Sequence, residues 1–98
     1  MADHHIASLV WDDWNRAHIQ KHGVSPSEVE DVIGGDAIAF PSYKDRLVII
    51  GPNRDGELRV VVAGLVPGSD DVYYVFSARP ASRKERHRYA AEKGDRAV

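Results

Sequence analysis

Three apolar segments separated by two short turns constrain this chain more than any other feature. RLVIIG occupies residues 46–51, ELRVVVAGLV residues 57–66 and VYYVFSAR residues 72–79. The intervening sequences are PNRDG, which contains the Asp-Gly pair typical of hairpins, and PGSDD. Connections this short can join only antiparallel neighbours, because parallel strands need a long crossover. The second half of the chain is therefore predicted to form an antiparallel meander.

The first half is predicted to contain a short strand at 6–11 and a helix at 13–22. Asp12 is a suitable N-cap for this helix, because its side chain can accept hydrogen bonds from the first free amides. Gly23 follows at the position where a left-handed residue commonly ends a helix. The helix is therefore expected to stop at this glycine and the chain to turn there.

A second helix is predicted to begin at SPSE, residues 25–28, and to run to about Ile33. The sequence matches a capping box, in which Ser25 accepts from the amide of Glu28 and Glu28 accepts from the amide of Ser25. Pro26 takes the first helical position, where its missing N–H is harmless. Two helices are thus expected to meet at a tight corner.

AIAF at 37–40 adds a strand, and a last helix is predicted from the N-cap Ser82 to about Lys93. The fold class is α+β, with a small antiparallel β-sheet, two N-terminal helices and a C-terminal helix in the order β-α-α-β-β-β-β-α. All helices are expected on one face of the sheet. The 98 residues form a single domain, 1–98, in which residues 1–5 are expected to be disordered.

Alternation along the last strand predicts which of its side chains share a face. One face is expected to carry every second residue from Tyr73 to Arg79, and the other face Tyr74, Phe76 and Ala78. Because Arg79 ends the strand, it is expected where the sheet opens to solvent.

Composition excludes several classes of protein. The net charge of -2 means that a nucleic-acid partner must meet a local basic patch. The absence of cysteine excludes disulfides and thiolate metal sites, and it suits a reducing cytoplasm. No apolar run approaches the ~20 residues of a membrane span, and MADHHIASLV lacks the features of a signal peptide. A cytoplasmic location without membrane contact is expected.

His18 and His22 lie four residues apart, so both rings are expected on one helix face, together with Asn15. The pair could bind a metal, transfer protons or serve structure alone. A metal site needs a third ligand, and the HExxH arrangement is absent. In the structural interpretation His18 packs beside Trp14, and His22 complements the dipole at the helix end.

A cationic cluster lies near the end of the chain. Its members are Arg79, Arg83, Lys84, Arg86, His87 and Arg88. Such local density attracts phosphates even in an acidic protein, although a solvated helix face is the alternative. Lys44 and Arg46 form a second, weaker cationic signal at the start of a strand.

WDDWNRAHIQKHGVSPSEVEDV resembles the N-terminal signature of BrnT-type proteins, W-D-x-x-N-x-x-H-I-x-x-H-G-V-x-P-x-E-V-E. RLVIIG, VYYVFSAR and ERHRY resemble the rest of the family pattern in the same order, so the match spans about residues 9 to 89. BrnT proteins are toxins of type II toxin–antitoxin pairs and share the fold of RelE-like ribonucleases. The resemblance implies a ribbon-helix-helix antitoxin as partner, and contact with operator DNA only through that antitoxin.

The resemblance further implies an endoribonuclease that uses neither metal nor cofactor and inhibits translation by cleaving RNA through attack of its own 2′-OH. His22, Arg46 and Arg79 are the implied catalytic residues. The expected RNA-binding residues are Lys44, Arg83, Arg86 and Tyr89.

The hairpin departs from the family pattern. Ala63-Gly64-Leu65 stands where many members carry a threonine, an acidic residue and an arginine. If that run contributes to cleavage, activity is weakened or changed in this chain. The alternative function is a non-catalytic protein-binding module, or an inactive toxin homologue that only binds a partner protein.

Overall fold

Five strands form one sheet in the computed structural model, which describes residues 5–94. The strands are β1 (Ser8–Val10), β2 (Ile38–Pro41), β3 (Arg46–Pro52), β4 (Leu58–Leu65) and β5 (Val72–Pro80). The helices are α1 (Asp13–Gln20), α2 (Pro26–Ile33) and α3 (Arg83–Gly94), and a 3-10 turn (Tyr43–Asp45) precedes β3. The predicted α+β class and element order are confirmed. The expected disorder of residues 1–5 concerns, apart from His5, residues outside the described range.

The strand order in the sheet is β1-β5-β4-β3-β2. Strands β2 to β5 form the predicted antiparallel meander, with each strand paired to the next in the chain. β1 adds to the far edge and pairs with β5 in parallel, Ser8 opposite Val72. The sheet is therefore mixed, because the long connection through the rest of the chain allows a parallel partner where a hairpin does not.

A β-bulge interrupts β5. Val62 pairs with Ser77 and Ala63 pairs with Val75, so Phe76 is an extra residue with no partner on β4. A bulge of one residue breaks the alternation of side chains. The prediction that Arg79 shares a face with Tyr73 and Val75 is therefore wrong.

After the bulge, Ala78 joins Tyr73 and Val75 in the core beneath α1 and α2. Arg79 pairs instead with Val60, whose side chain belongs to the cluster on the opposite face.

The sheet has a core on each face. Ile19 of α1 and Val29 and Val32 of α2 pack against one face. On the opposite face, Ala81 and Tyr89 pack with residues of β2, β3 and β4. The expectation that all helices share one face is therefore wrong for α3, because β5 leaves its bulge with Ala81 buried on the opposite side.

The corner between α1 and α2 matches the prediction. Gly23 has φ +74°, the left-handed conformation expected for a residue that ends a helix. Its N–H donates to the carbonyl of Gln20, and the N–H of Val24 donates to that of Ile19, which is the Schellman pattern. Ser25 and Glu28 form the predicted reciprocal capping box.

Asn15 is fully buried and connects β1, α1 and β5. Its Nδ2 donates to the carbonyl of Val10 at 2.9 Å and to that of Val75 at 3.1 Å. Its Oδ1 accepts from the N–H of Asp12 at 2.8 Å. The side chain therefore satisfies backbone groups at the last paired residue of β1 and just beyond it.

Asn15→Ala should destabilise the fold by roughly 2–4 kcal/mol. The carbonyls of Val10 and Val75 and the N–H of Asp12 would each lose a hydrogen-bond partner. Urea unfolding measures the loss. Ser25→Ala is the control, since it removes a solvent-exposed helix cap worth about 1 kcal/mol. A loss in Asn15→Ala no larger than in the control would contradict the connecting role of Asn15.

Candidate functional site

Part of the sheet face that carries α3 remains uncovered. We define the open sheet surface by Val10, Arg46, Gly64, Tyr74 and Phe76. The register places Arg46 opposite Gly64, Gly64 opposite Tyr74 and Tyr74 opposite Val10, so these residues cross the sheet at one level. The buried cluster under α3 lies further along the strands, around Ile50 and Val60 of the same face.

Arg46 stacks on Phe76 at the centre of the open sheet surface. The guanidinium carbon lies 3.8 Å from the ring centroid, within the range of a cation–π contact. Gly64 makes this arrangement possible, because a Cβ atom there would lie only 2.9 Å from Cε2 of Phe76. Among residues 5–94, no carboxylate forms an ion pair with Arg46. Its charge is thus fixed in position and available to an anion.

Arg79 is held by a carboxylate of its own chain. Its two terminal nitrogens donate to the two oxygens of Glu85, each at 2.7 Å. Glu85 also accepts from the N–H of Ser82, in the capping box that starts α3. The Arg79 hydrogen bonds lower the pKa of Glu85 to about 2 against opposition from burial, and the Ser82 bonds add to the effect.

Arg46 and Arg79 are not brought together. Arg46 lies opposite Gly64 and Arg79 lies opposite Val60, on the two sides of β4. Val60 and Gly64 are four residues apart along β4, a distance of roughly 13 Å at about 3.3 Å per residue. Each guanidinium also has a different neighbour, the Phe76 ring in one case and the Glu85 carboxylate in the other.

His22 lies just after α1, at the end of a row of three rings that begins on this helix. Trp14 and His18 stack with centroids 4.7 Å apart and planes 9° apart. His18 meets His22 edge-to-face at 5.6 Å, and His22 is exposed.

Asn15 does not join this row of rings, since its side chain points into the core. No described contact joins His22 to Arg46 or Arg79; Trp14 links the row to the open sheet surface, because it borders the same hollow as Phe76.

The remaining predicted residues divide into two groups. Arg86 donates to the carbonyl of Ala81 at 2.9 Å, and the Tyr89 hydroxyl donates to the carbonyl of Asp36 at 2.6 Å, so both fasten α3 to the body of the protein. Arg83 and Lys44 are exposed, and Lys44 has a left-handed backbone with φ 58°. These two are surface cations.

Sequence reasoning missed the contact between Tyr74 and Asp12. The Tyr74 hydroxyl lies 3.0 and 2.9 Å from the two carboxylate oxygens of Asp12 and donates to them. The pKa of Asp12 is lowered, first by the backbone N–H of Asn15 and also by Tyr74. The pKa of Tyr74 is raised, first by burial and then by Asp12. The placement of Tyr74 and Phe76 on one face was the signal that could have indicated this surface.

Within the described residues, no three histidine or acidic side chains are grouped so that they could hold a metal ion. None of the helices in that range has the length and apolar character needed to cross a membrane.

The chain is similar to a solved toxin structure. The crystal structure of the Brucella abortus ribonuclease toxin BrnT matches with a TM-score of 0.61 and 29% sequence identity. The match covers 78% of this chain and 97% of that one. No protein-family model and no curated protein sequence matches the chain.

The Arg79–Glu85 pair should make stability depend on acid pH. The pKa of Glu85 is about 2 in the folded protein against an ordinary value of 4.5, so its contribution is complete above pH 4.5 and is lost as the pH falls toward 2. Glu85→Gln should therefore be less stable than wild type at neutral pH, with the difference shrinking through this window. Urea unfolding at several pH values measures this difference.

Glu92→Gln is the matched control, because Glu92 pairs with Arg88 in an exposed i,i+4 contact that contributes little. A difference between wild type and Glu85→Gln that stays constant from neutral pH to pH 2 would contradict the assignment.

Proposed function

Because the chain has the BrnT-type fold, we propose that it is the toxin of a type II toxin–antitoxin pair and a metal-independent endoribonuclease that inhibits translation. The similarity to a ribonuclease toxin supports the class of activity. The main observation in support of the mechanism is the position of Arg46. Its guanidinium stacks on the Phe76 ring and has no ion-pair partner among the described residues.

Arg46 has the properties that a phosphate-binding group needs. A guanidinium stays charged at every physiological pH and can donate two parallel hydrogen bonds to two phosphate oxygens. Stacking on Phe76 limits the conformations of the side chain, so less entropy is lost when a phosphate binds. We assign to Arg46 the stabilisation of the negative charge that develops on the phosphorane oxygens.

The reaction proposed is internal transfer within the RNA. The 2′-oxygen attacks the adjacent phosphorus, the bond from phosphorus to the 5′-oxygen breaks, and the products are a 2′,3′-cyclic phosphate and a 5′-hydroxyl. A base must accept the 2′-OH proton, and an acid must protonate the leaving 5′-oxygen. His22 is the proposed proton-transfer group, because it is exposed and an imidazole ring can both accept and donate a proton.

The other cations are proposed to bind the RNA backbone away from the reacting phosphate. The side chain of Arg79 is 40% exposed, but Glu85 already balances its charge. We therefore give Arg79 a weaker role in catalysis than Arg46, as a group that holds a neighbouring phosphate. Arg83 and Lys44 add exposed charge, while Arg86 and Tyr89 fix α3 in place.

The partner proposed is a ribbon-helix-helix antitoxin, with operator DNA contacted only through it and the complex located in the cytoplasm. This part of the proposal rests on the resemblance to BrnT-type toxins. The exposed cations of α3 support it, because an acidic segment of a partner could neutralise them.

Arg46→Ala should lower the rate of RNA cleavage by about 10²–10³, the usual cost of losing one preorganised charge-stabilising donor. Arg46→Lys should recover only part of the rate, because an ammonium cannot donate in a bidentate fork. Cleavage sites and rates are measured by primer extension on a messenger in a bacterial translation extract, and magnesium-independent cleavage is measured separately on purified RNA in EDTA.

Arg54→Ala is the matched control, since Arg54 is a highly exposed arginine whose contact with Asp31 is long, at 3.6 Å. Full activity in a folded Arg46→Ala protein would refute the role of Arg46. If the wild-type protein neither cuts RNA nor arrests growth when expressed alone, yet binds its antitoxin, the non-catalytic binding module is the correct function.

A further inference from the structure

We propose that the hollow beside the open sheet surface is a nucleobase-binding subsite, in which Trp14 stacks on an unpaired base of single-stranded RNA. The choice of RNA as the ligand rests on the proposed function. The subsite itself is supported by the size and lining of the hollow and by the contact of Arg46 with Phe76, one of the residues that line it.

The hollow has the size and lining of a small-ligand site. Its volume is about 610 Å³, within the range of pockets that bind organic ligands. Trp14, Tyr74 and Phe76 provide aromatic walls, and the end of β4 provides aliphatic ones, including Leu65. The Tyr74 hydroxyl is engaged by Asp12, so this residue presents its ring rather than a free polar group. A ligand with a flat, weakly polar face fits such a lining.

Trp14 is placed to stack with an incoming ring. His18 lies parallel to the indole at 4.7 Å and supports it from the helix side. Trp14 nevertheless remains 57% exposed, and Leu65, which also lines the hollow, is 46% exposed. Two large apolar residues this accessible in one hollow indicate a binding surface rather than core.

The neighbouring charge favours a nucleotide over an apolar peptide. The rings of Tyr74 and Phe76 meet at 5.0 Å, and the guanidinium of Arg46 lies on the far side of Phe76 at 3.8 Å. The aromatic side chains thus lie next to Arg46, whose charge is not balanced by any carboxylate among the described residues. A nucleotide offers the complement, a flat base joined to an anionic phosphate, and proteins that bind single strands combine stacking rings with cations in this way.

Tryptophan fluorescence can observe the stacking directly. The chain has two tryptophans, and Trp11 lies apart, with its indole N–H donating to Glu30 at 3.4 Å. Trp11→Phe therefore leaves Trp14 as the single reporter. Titration with a 2′-O-methyl oligonucleotide, which cannot be cleaved, should quench its emission. An oligonucleotide of equal length and charge with abasic positions should quench it much less.

Affinity measurements with the same oligonucleotides complete the test. Trp14→Ala should weaken binding about tenfold, while Trp14→Phe should retain most of the affinity because a ring remains. Trp11→Phe is the matched control and should bind like the wild type. The abasic oligonucleotide should bind Trp14→Ala and wild type equally, since neither can then stack.

Unchanged affinity in Trp14→Ala, or equal quenching by the abasic strand, would overturn the subsite. So would a Trp14→Ala protein that binds RNA normally but no longer co-purifies with its antitoxin, because a protein segment would then occupy the hollow. Failure of the proposed function looks different. A protein that stacks the uncleavable strand but cuts no RNA would keep the subsite and lose the ribonuclease activity.

Discussion

The buried amide of Asn15 fixes the geometry on which the candidate site depends. One side chain donates to the carbonyls of Val10 and Val75 and accepts from the N–H of Asp12. It thereby sets where β1 stops and α1 starts relative to β5. Because α1 starts there, Asp12 reaches the hydroxyl of Tyr74 and Trp14 borders the hollow.

The bulge in β5 provides the other half of the site. With Phe76 inserted, the strand keeps Val75 and Ala78 in the same core while Phe76 lies across Gly64. A Cβ atom on Gly64 would lie 2.9 Å from Phe76, so glycine allows this crossing, and Phe76 gives Arg46 a ring on which to stack. Gly64 and Leu65 thus both shape the site, since Gly64 admits the ring and Leu65 lines the hollow.

Local signals made much of the fold predictable. The Asp-Gly hairpin, the helix caps at Asp12, Ser25 and Ser82, and the left-handed Gly23 each depend on residues close in sequence, and the structure has all of them. The meander followed from turn lengths alone, and it is present.

The features that sequence reasoning missed depend on distant partners. Nothing in VYYVFSAR marks Phe76 as a bulge, because the extra residue is defined by pairing with β4. That error placed Arg79 on the wrong face of the sheet. Asn15 shares helical spacing with the histidines, yet its amide is taken by a carbonyl 60 residues away. Ser82 was recognisable as a helix cap, but the contact of Glu85 with Arg79 could be found only once the end of β5 was placed.

The central claim is that this chain cleaves RNA by internal 2′-OH attack at a phosphate held by Arg46. Mass spectrometry of the ends that the purified protein produces tests it most directly, on purified RNA in EDTA and, where free RNA is not cut, on ribosomes in magnesium. Internal attack should leave 2′,3′-cyclic phosphate and 5′-hydroxyl ends, and a single 2′-deoxy substitution at the cut site should protect the RNA completely. Ends carrying a 5′-phosphate, or cleavage of the 2′-deoxy substrate, would contradict it.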